Sequence, residues 1–245
     1  MSKSSLGEAI AEFIGSMFIV IAAISPMILF ASIFQSEKSI AVFVNAITVV
    51  FVICALIEVF KPVSGAHFNP IVTMVMLFEK KIGAIAALFF VFFQVAGGIT
   101  GIILSHLMFY DYVGHLLSVS DITRNNYMYF GEILGSFILI LAILLLIKAK
   151  SNKISIIIGL LVGGQIFSTS SMMFANPQVT IARMFTGSIS GIRPIDGLVF
   201  IAMQIIGAIL AYGVYRLIKF CKPDKEEKDA LCKRMCMPEH NLPES

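Results

Sequence analysis

An asparagine-proline pair occurs twice in this chain, as Asn69-Pro70 in GAHFNPIVTM and Asn176-Pro177 in MFANPQVTIA, both times inside strongly apolar sequence. Proline has no N–H and a fixed φ, which suits the first residue of a helix, and asparagine is among the best N-cap residues. Each pair therefore reads as a helix start. The surrounding residues set the solvent: 58% are hydrophobic, 13% are charged and mean hydropathy is +0.93, whereas a soluble domain is roughly 25% charged. A helix start at membrane depth is tolerated only where its free backbone groups are buried in protein or face a water-filled cavity. Two such starts imply a wet passage beside both.

Apolar runs of about 20 residues, the length a spanning helix needs, cover residues 10–34, 40–60, 82–107, 129–147, 154–173 and 195–218. They predict six full spans. The stretches after the two pairs, 70–78 and 177–187, are too short to cross and read as half-helices dipping to the midplane. Residues 1–10 lack a strong basic region, and the first apolar run is too long for a cleavable signal. Placing the N-terminus in the cytoplasm puts Lys61, Lys80, Lys81, Lys148, Lys150, Lys153, Arg216 and Lys219 inside. Only Lys38, Arg124 and Arg193 are then left in outer loops, with Arg183 within the membrane, as the positive-inside rule expects. The net charge of +3 is accounted for at the membrane edge and calls for no nucleic acid.

The chain also repeats itself. Glu12, Gly15 and Ser16 in AEFIGS recur as Glu132, Gly135 and Ser136 in GEILGS, and Gln94-x-x-Gly97 recurs as Gln204-x-x-Gly207. With the Asn-Pro pairs these markers return in one order at a nearly constant offset, which describes a tandem duplication of three spans. Three is odd, so the second copy is inverted in the membrane. The half-helices then enter from opposite faces and their N-termini meet near the centre. Each N-terminus carries roughly half a positive charge from the macrodipole, which opposes cations, while the Asn69 and Asn176 amides can donate hydrogen bonds to a passing oxygen.

These motifs resemble the aquaporin, or major intrinsic protein, family over residues 8–219. The resemblance implies an all-α membrane protein with six transmembrane helices and two re-entrant half-helices, assembled as a homotetramer with one pore per subunit. A channel domain over 1–219 would comprise repeats at about 8–107 and 128–219, followed by a cytoplasmic tail at 220–245. The pore motifs would be Asn69, Pro70, Ile71 and Asn176, Pro177, Gln178. The resemblance implies loop-holding roles for Glu12 and Glu132, whose bare alternative is a proton relay. His67 reads as a partner that orders its loop, with a pH gate as the sharper alternative. The localisation implied is the cell membrane, multi-pass, with both termini cytoplasmic. No cofactor, metal or catalytic set is called for.

The chain departs from the family where selectivity is set. Water-selective members carry an arginine three residues after the second Asn, and here that position is Val179. By the family's offsets the other constriction positions fall on Val49, Gly164 and Met173, so the opening is expected to be wider and less polar than a water filter. Arg183, one turn beyond Val179, is expected either to line the mouth or to hold the loop. Ile71 and Gln178 replace alanine and are expected to reshape or narrow the middle. The second box, NP-x-VT-x-AR, resembles a bacterial aquaglyceroporin-like subgroup whose genes often accompany arsenic-resistance systems, which implies glycerol, undissociated arsenite and water as solutes. Cys54 reads as a packed thiol, Cys221 as a tail thiol open to acylation, and Cys232, Cys236 and His240 as a solvated stretch with a remote metal-binding alternative. A mainly water-selective pore, a proton-coupled transporter using Glu12, Glu58 and Glu132, and a non-conducting membrane organiser remain the competing readings.

Overall fold

The computed structural model describes residues 3–221, so Cys232, Cys236 and His240 lie outside the described residues. Helix α1 (Lys3–Met27) runs on through a π-helical turn at Ile28–Ile33 and is followed by α2 (Lys38–Ser64), α3 (Pro70–Phe78) and α4 (Ala84–Met108). A four-residue α5 (Tyr110–Val113) leads to α6 (Asn126–Lys148), α7 (Ile154–Ser168), α8 (Pro177–Arg183) and α9 (Pro194–Cys221). The order long, long, short, long therefore occurs twice. Among the described residues five helices, including α1 with its π-helical extension, are long and apolar enough to cross a membrane.

Two expectations need correction. The fifth apolar run does not stay helical to residue 173, because α7 stops at Ser168. Its 15 residues reach only about 22 Å at 1.5 Å per residue. Thr169 turns extended at ψ 144, its hydroxyl donating to the Gln165 carbonyl (2.7 Å) and accepting from the Met173 amide (2.9 Å). Such side-chain bonds offer the backbone an alternative to the helix. The second half-helix is likewise shorter than expected, ending at Arg183 with Met184 as its C-cap.

The repeated motifs are packing devices. α1 packs along α4 and α6 along α9. A Cβ on Gly97 would run into the Phe13 carbonyl of α1, and one on Gly207 into the Ile133 carbonyl of α6. Close backbone approach is a use that only glycine serves, and it explains one half of the Gln-x-x-Gly motif. In the same way Gly15 leaves room for the Phe68 ring and Gly135 for the Met173 side chain. Large apolar side chains such as Phe51, Ile85, Phe92 and Leu198 remain exposed on the long helices, the pattern of a chain solvated by lipid.

Candidate functional site

Asn69 and Asn176 each sit at extended φ (−157° and −155°) and accept from the amide two residues on, Ile71 and Gln178, both at 3.1 Å. They are N-caps, with Pro70 and Pro177 starting the helices. Their other ends cross over: Asn69 Nδ2 donates to the Ala175 carbonyl at 2.8 Å and Asn176 Nδ2 to the Phe68 carbonyl at 2.9 Å. The two half-helix N-termini are thereby tied to each other. Each amide has two protons, and the cross-bond uses one.

The loops that precede the caps are held by two buried carboxylates. Glu12 accepts from the Ser64 hydroxyl (2.6 Å), the His67 and Phe68 amides (3.0 and 2.6 Å) and Gln94 Nε2 (2.7 Å). Glu132 accepts from the Phe174 and Ala175 amides (2.9 and 2.8 Å) and Gln204 Nε2 (2.6 Å). Gln94 and Gln204 also donate to Thr73 (3.0 Å) and Thr180 (2.9 Å) inside the half-helices. All six residues are fully buried. A carboxylate with its acceptor sites filled by loop donors fixes backbone, and neither glutamate lines the cavity. Glu58 stands apart, accepting from Ser155 at 2.7 Å in a small surface pocket beside Lys61. The geometry favours the loop-holding role over a relay. The threonines were legible in the sequence as the shared pattern NP-x-VT in both boxes, and sequence reasoning passed them over.

These bonds hold the backbone in unusual shapes. Ala66, Phe68, Met172, Met173 and Ala175 all have positive φ, a region that costs non-glycine residues free energy unless their surroundings impose it. The result is two irregular strips, residues 65–68 and 172–175, that line a cavity of about 440 Å³. The rest of the wall is apolar. Each of four helices contributes a stripe at i, i+4 spacing: Ile19 and Ala23, Val49 through Ile57, Leu139 through Ile147, and Ile154 through Ile166. Lys61 and Lys81 stand at one end, and Arg183 lines the other.

The expected selectivity positions are brought together with one exception. Val49, Met173, Val179 and Arg183 line the cavity. Gly164 does not: it is exposed, and the nearest α7 residues on the lumen are Val162 and Ile166. Two residues along a helix is about 200° around it, so the expected offset lands on the opposite face. Ile71 and Gln178 also turn away from the lumen. Ile71 packs among Val75, Met76 and Ala208, and Gln178 fits against Gly98, its Nε2 reaching the Phe68 carbonyl at 3.5 Å. The larger residues in place of alanine therefore lie outside the lumen lining.

An aromatic and an arginine do meet at one mouth, displaced from the expected positions. The Arg183 guanidinium lies 4.2 Å from the Phe174 ring centroid and donates to the Ser190 and Ala23 carbonyls, both at 3.4 Å. It both lines the mouth and is held by backbone oxygens, so the two expectations for it merge. Arg124, unforeseen here, approaches the same ring at 5.5 Å and donates to the Gly191 carbonyl at 2.8 Å. No local motif marks Phe174 or Arg124, whose roles come from tertiary packing. His67 lines the cavity beside the first cap, its Nδ1 3.1 Å from the Thr73 hydroxyl and its ring edge-on to Phe90.

The same architecture is found in known proteins. The family model described as Major intrinsic protein matches residues 1–175. An aquaglyceroporin, AqpS, of Rhizobium meliloti is 31% identical over 209 residues, covering 85% of this chain and 88% of its own. Human Aquaporin-4 is 26% identical over 228 residues, covering 89% of this chain and 68% of its own. The X-ray structure of the aquaglyceroporin from Plasmodium falciparum superposes with a TM-score of 0.68 at 16% identity, covering 86% of this chain and 95% of that one, a likeness of fold. On the crossed Asn-Pro half-helices and these matches, the chain belongs to the major intrinsic protein family of multi-pass membrane channels, which are not enzymes.

Proposed function

We propose that this protein is a passive channel for small uncharged solutes, namely glycerol, undissociated metalloid acids such as arsenite, and water, and that it excludes ions and protons. One observation carries the reading: two capped half-helix N-termini meet at the cavity, each Asn amide retaining a proton beyond its cross-bond. A neutral hydroxyl exchanges water for these donors and the strip carbonyls almost evenly. A bare ion loses hydration that the apolar stripes do not replace, a cost of several kcal/mol or more, and the helix ends oppose a cation besides. Val179 beside the cap, in place of an arginine, supports solutes wider than water. The 31% identical aquaglyceroporin supports glycerol among them.

The Arg183 mouth is assigned to the outside, because the opposite mouth carries Lys61 and Lys81 and cytoplasmic edges gather lysine. Cell-membrane placement with cytoplasmic termini, and a homotetramer, complete the proposal. A mainly water-selective channel is the second reading, favoured by the aromatic-arginine pair of Phe174 and Arg183. Stopped-flow volume changes of proteoliposomes in water, glycerol and arsenite gradients separate these readings. Entry of all three above empty vesicles is expected. Fast water flux with no glycerol or arsenite entry would leave the second reading standing, and saturable accumulation against a gradient would replace both with a coupled transporter.

A further inference from the structure

The turn of α1 that faces Arg183 is irregular for a reason written in the sequence. Pro26 lies within α1 and has no N–H, so the helical bond to the carbonyl of Ala22, four residues back, is missing. After Met27 the helix changes from α to π. The freed carbonyl of Ala22, and that of Ala23 beside it, are met from the neighbouring helix: Asn45 Nδ2, buried two turns into α2, donates to both at 3.1 Å. The Ala23 oxygen is also one of the two carbonyls that receive the Arg183 guanidinium, at 3.4 Å from Nη2. A carbonyl oxygen has two lone pairs, and here two side chains share it. Ala23 lines the cavity whereas Asn45 does not.

We propose that Asn45 is a positioning residue for Arg183: it fixes the Ala23 carbonyl on the turn that Pro26 interrupts, and through it the guanidinium at the mouth and the discrimination among solutes there. The inference deepens the channel reading and rests on it for its effect on flux. Among the described residues, the Ala23 carbonyl on the α1 side, the Ser190 carbonyl and the Phe174 face hold Arg183. With the Ala23 oxygen turned away, the guanidinium swings from the wall into the lumen, where it obstructs glycerol more than water.

The test compares Asn45→Leu, Arg183→Met and the double variant in proteoliposomes, reading the ratio of glycerol to water permeability. Asn45→Leu is expected to lower the ratio about fivefold, the factor one net hydrogen bond is worth, and to change nothing further in the Arg183→Met background. Additive effects in the double variant would mean that Asn45 acts on packing alone and would overturn the proposal. Should Asn45→Leu fail to fold, Pro26→Ala/Asn45→Leu restores a helical donor for Ala22 and is expected to show the same lowered ratio; a wild-type ratio overturns the proposal. A cryo-EM structure of the Asn45→Leu chain decides the point independently of transport. Arg183 is expected away from Ala23, and an unmoved guanidinium refutes the inference even if the channel conducts. Wild-type vesicles no more permeable than empty ones would sink the channel reading instead, leaving the positioning claim to that structure.

Discussion

Counted from the two Asn-Pro pairs, His67 corresponds to Phe174, Val72 to Val179 and Met76 to Arg183, and all six side chains line the cavity. Behind them the scaffolds match: Glu12, Gln94 and Thr73 in one repeat, Glu132, Gln204 and Thr180 in the other, with corresponding hydrogen bonds of 2.6–3.0 Å. Duplication has kept the carboxylate-amide frame that shapes the loops and let the lumen-facing positions diverge. At these paired positions the repeats differ in a ring and a charge, Phe174 and Arg183 against His67 and Met76. The frame is symmetric, and the lining of the lumen is not.

The largest effect should come from breaking the shared frame. Glu12→Leu orphans two loop amides, a hydroxyl and a glutamine donor, and buried unsatisfied donors cost about 1–3 kcal/mol each. A fall of roughly 10 °C in melting temperature in detergent is expected, at about 2–4 °C per kcal/mol for a chain of this size. Glu132→Leu should match it. A loss at one glutamate only would show that the two loops are not supported alike. The next effect is at the symmetric valines. Val179→Arg adds a second guanidinium one turn from Arg183 and should reduce glycerol entry at least tenfold, since narrowing and a fixed charge both raise the barrier. Unchanged glycerol flux in the liposome assay would place the constriction elsewhere.

The legibility of these features divides along the same line. The helix starts, the inverted repeat, Glu12 and Glu132 with their glutamine partners, and three of the four positions carried over from the family were readable, because each depends on local backbone chemistry or on a repeated motif. Gly164 was misplaced because a fixed offset carries no information on how α7 is rotated about its axis, and Val162 and Ile166, two residues to either side, hold the lumen face. Ile71 and Gln178 were misread as lumen residues, although the position after a capping Asn-Pro points sideways into the bundle. Phe174, Arg124 and Asn45 were invisible because their meaning is supplied by partners 9 to 50 residues away in sequence, among them the Ala23 carbonyl that Asn45 shares with Arg183, itself 160 residues from Ala23.

Arg183→Met makes the two mouths chemically alike at the position that Met76 holds in the first repeat. Methionine removes the charge and the bonds to Ser190 and Ala23, so glycerol permeability should rise several-fold while water changes less. A fall would mean that Arg183 holds the mouth open rather than narrowing it.

The smallest effect should be at His67, the counterpart of Phe174. A histidine on a pore wall titrates near physiological pH when it is free, and a gate built on it would switch flux between about pH 5 and pH 8. His67 is not free: its Nδ1 is engaged with Thr73, its ring stands against Phe90, and its backbone amide is bound by Glu12. A charge there would have to form within an apolar wall, beside a half-helix N-terminus that repels cations. Glycerol permeability is therefore expected to stay flat across that range, and His67→Phe, which copies the other mouth, should conduct like the wild type. A sigmoidal pH profile abolished by His67→Phe would reverse this assignment and make the Lys61 mouth, rather than the Arg183 mouth, the regulated end of the pore.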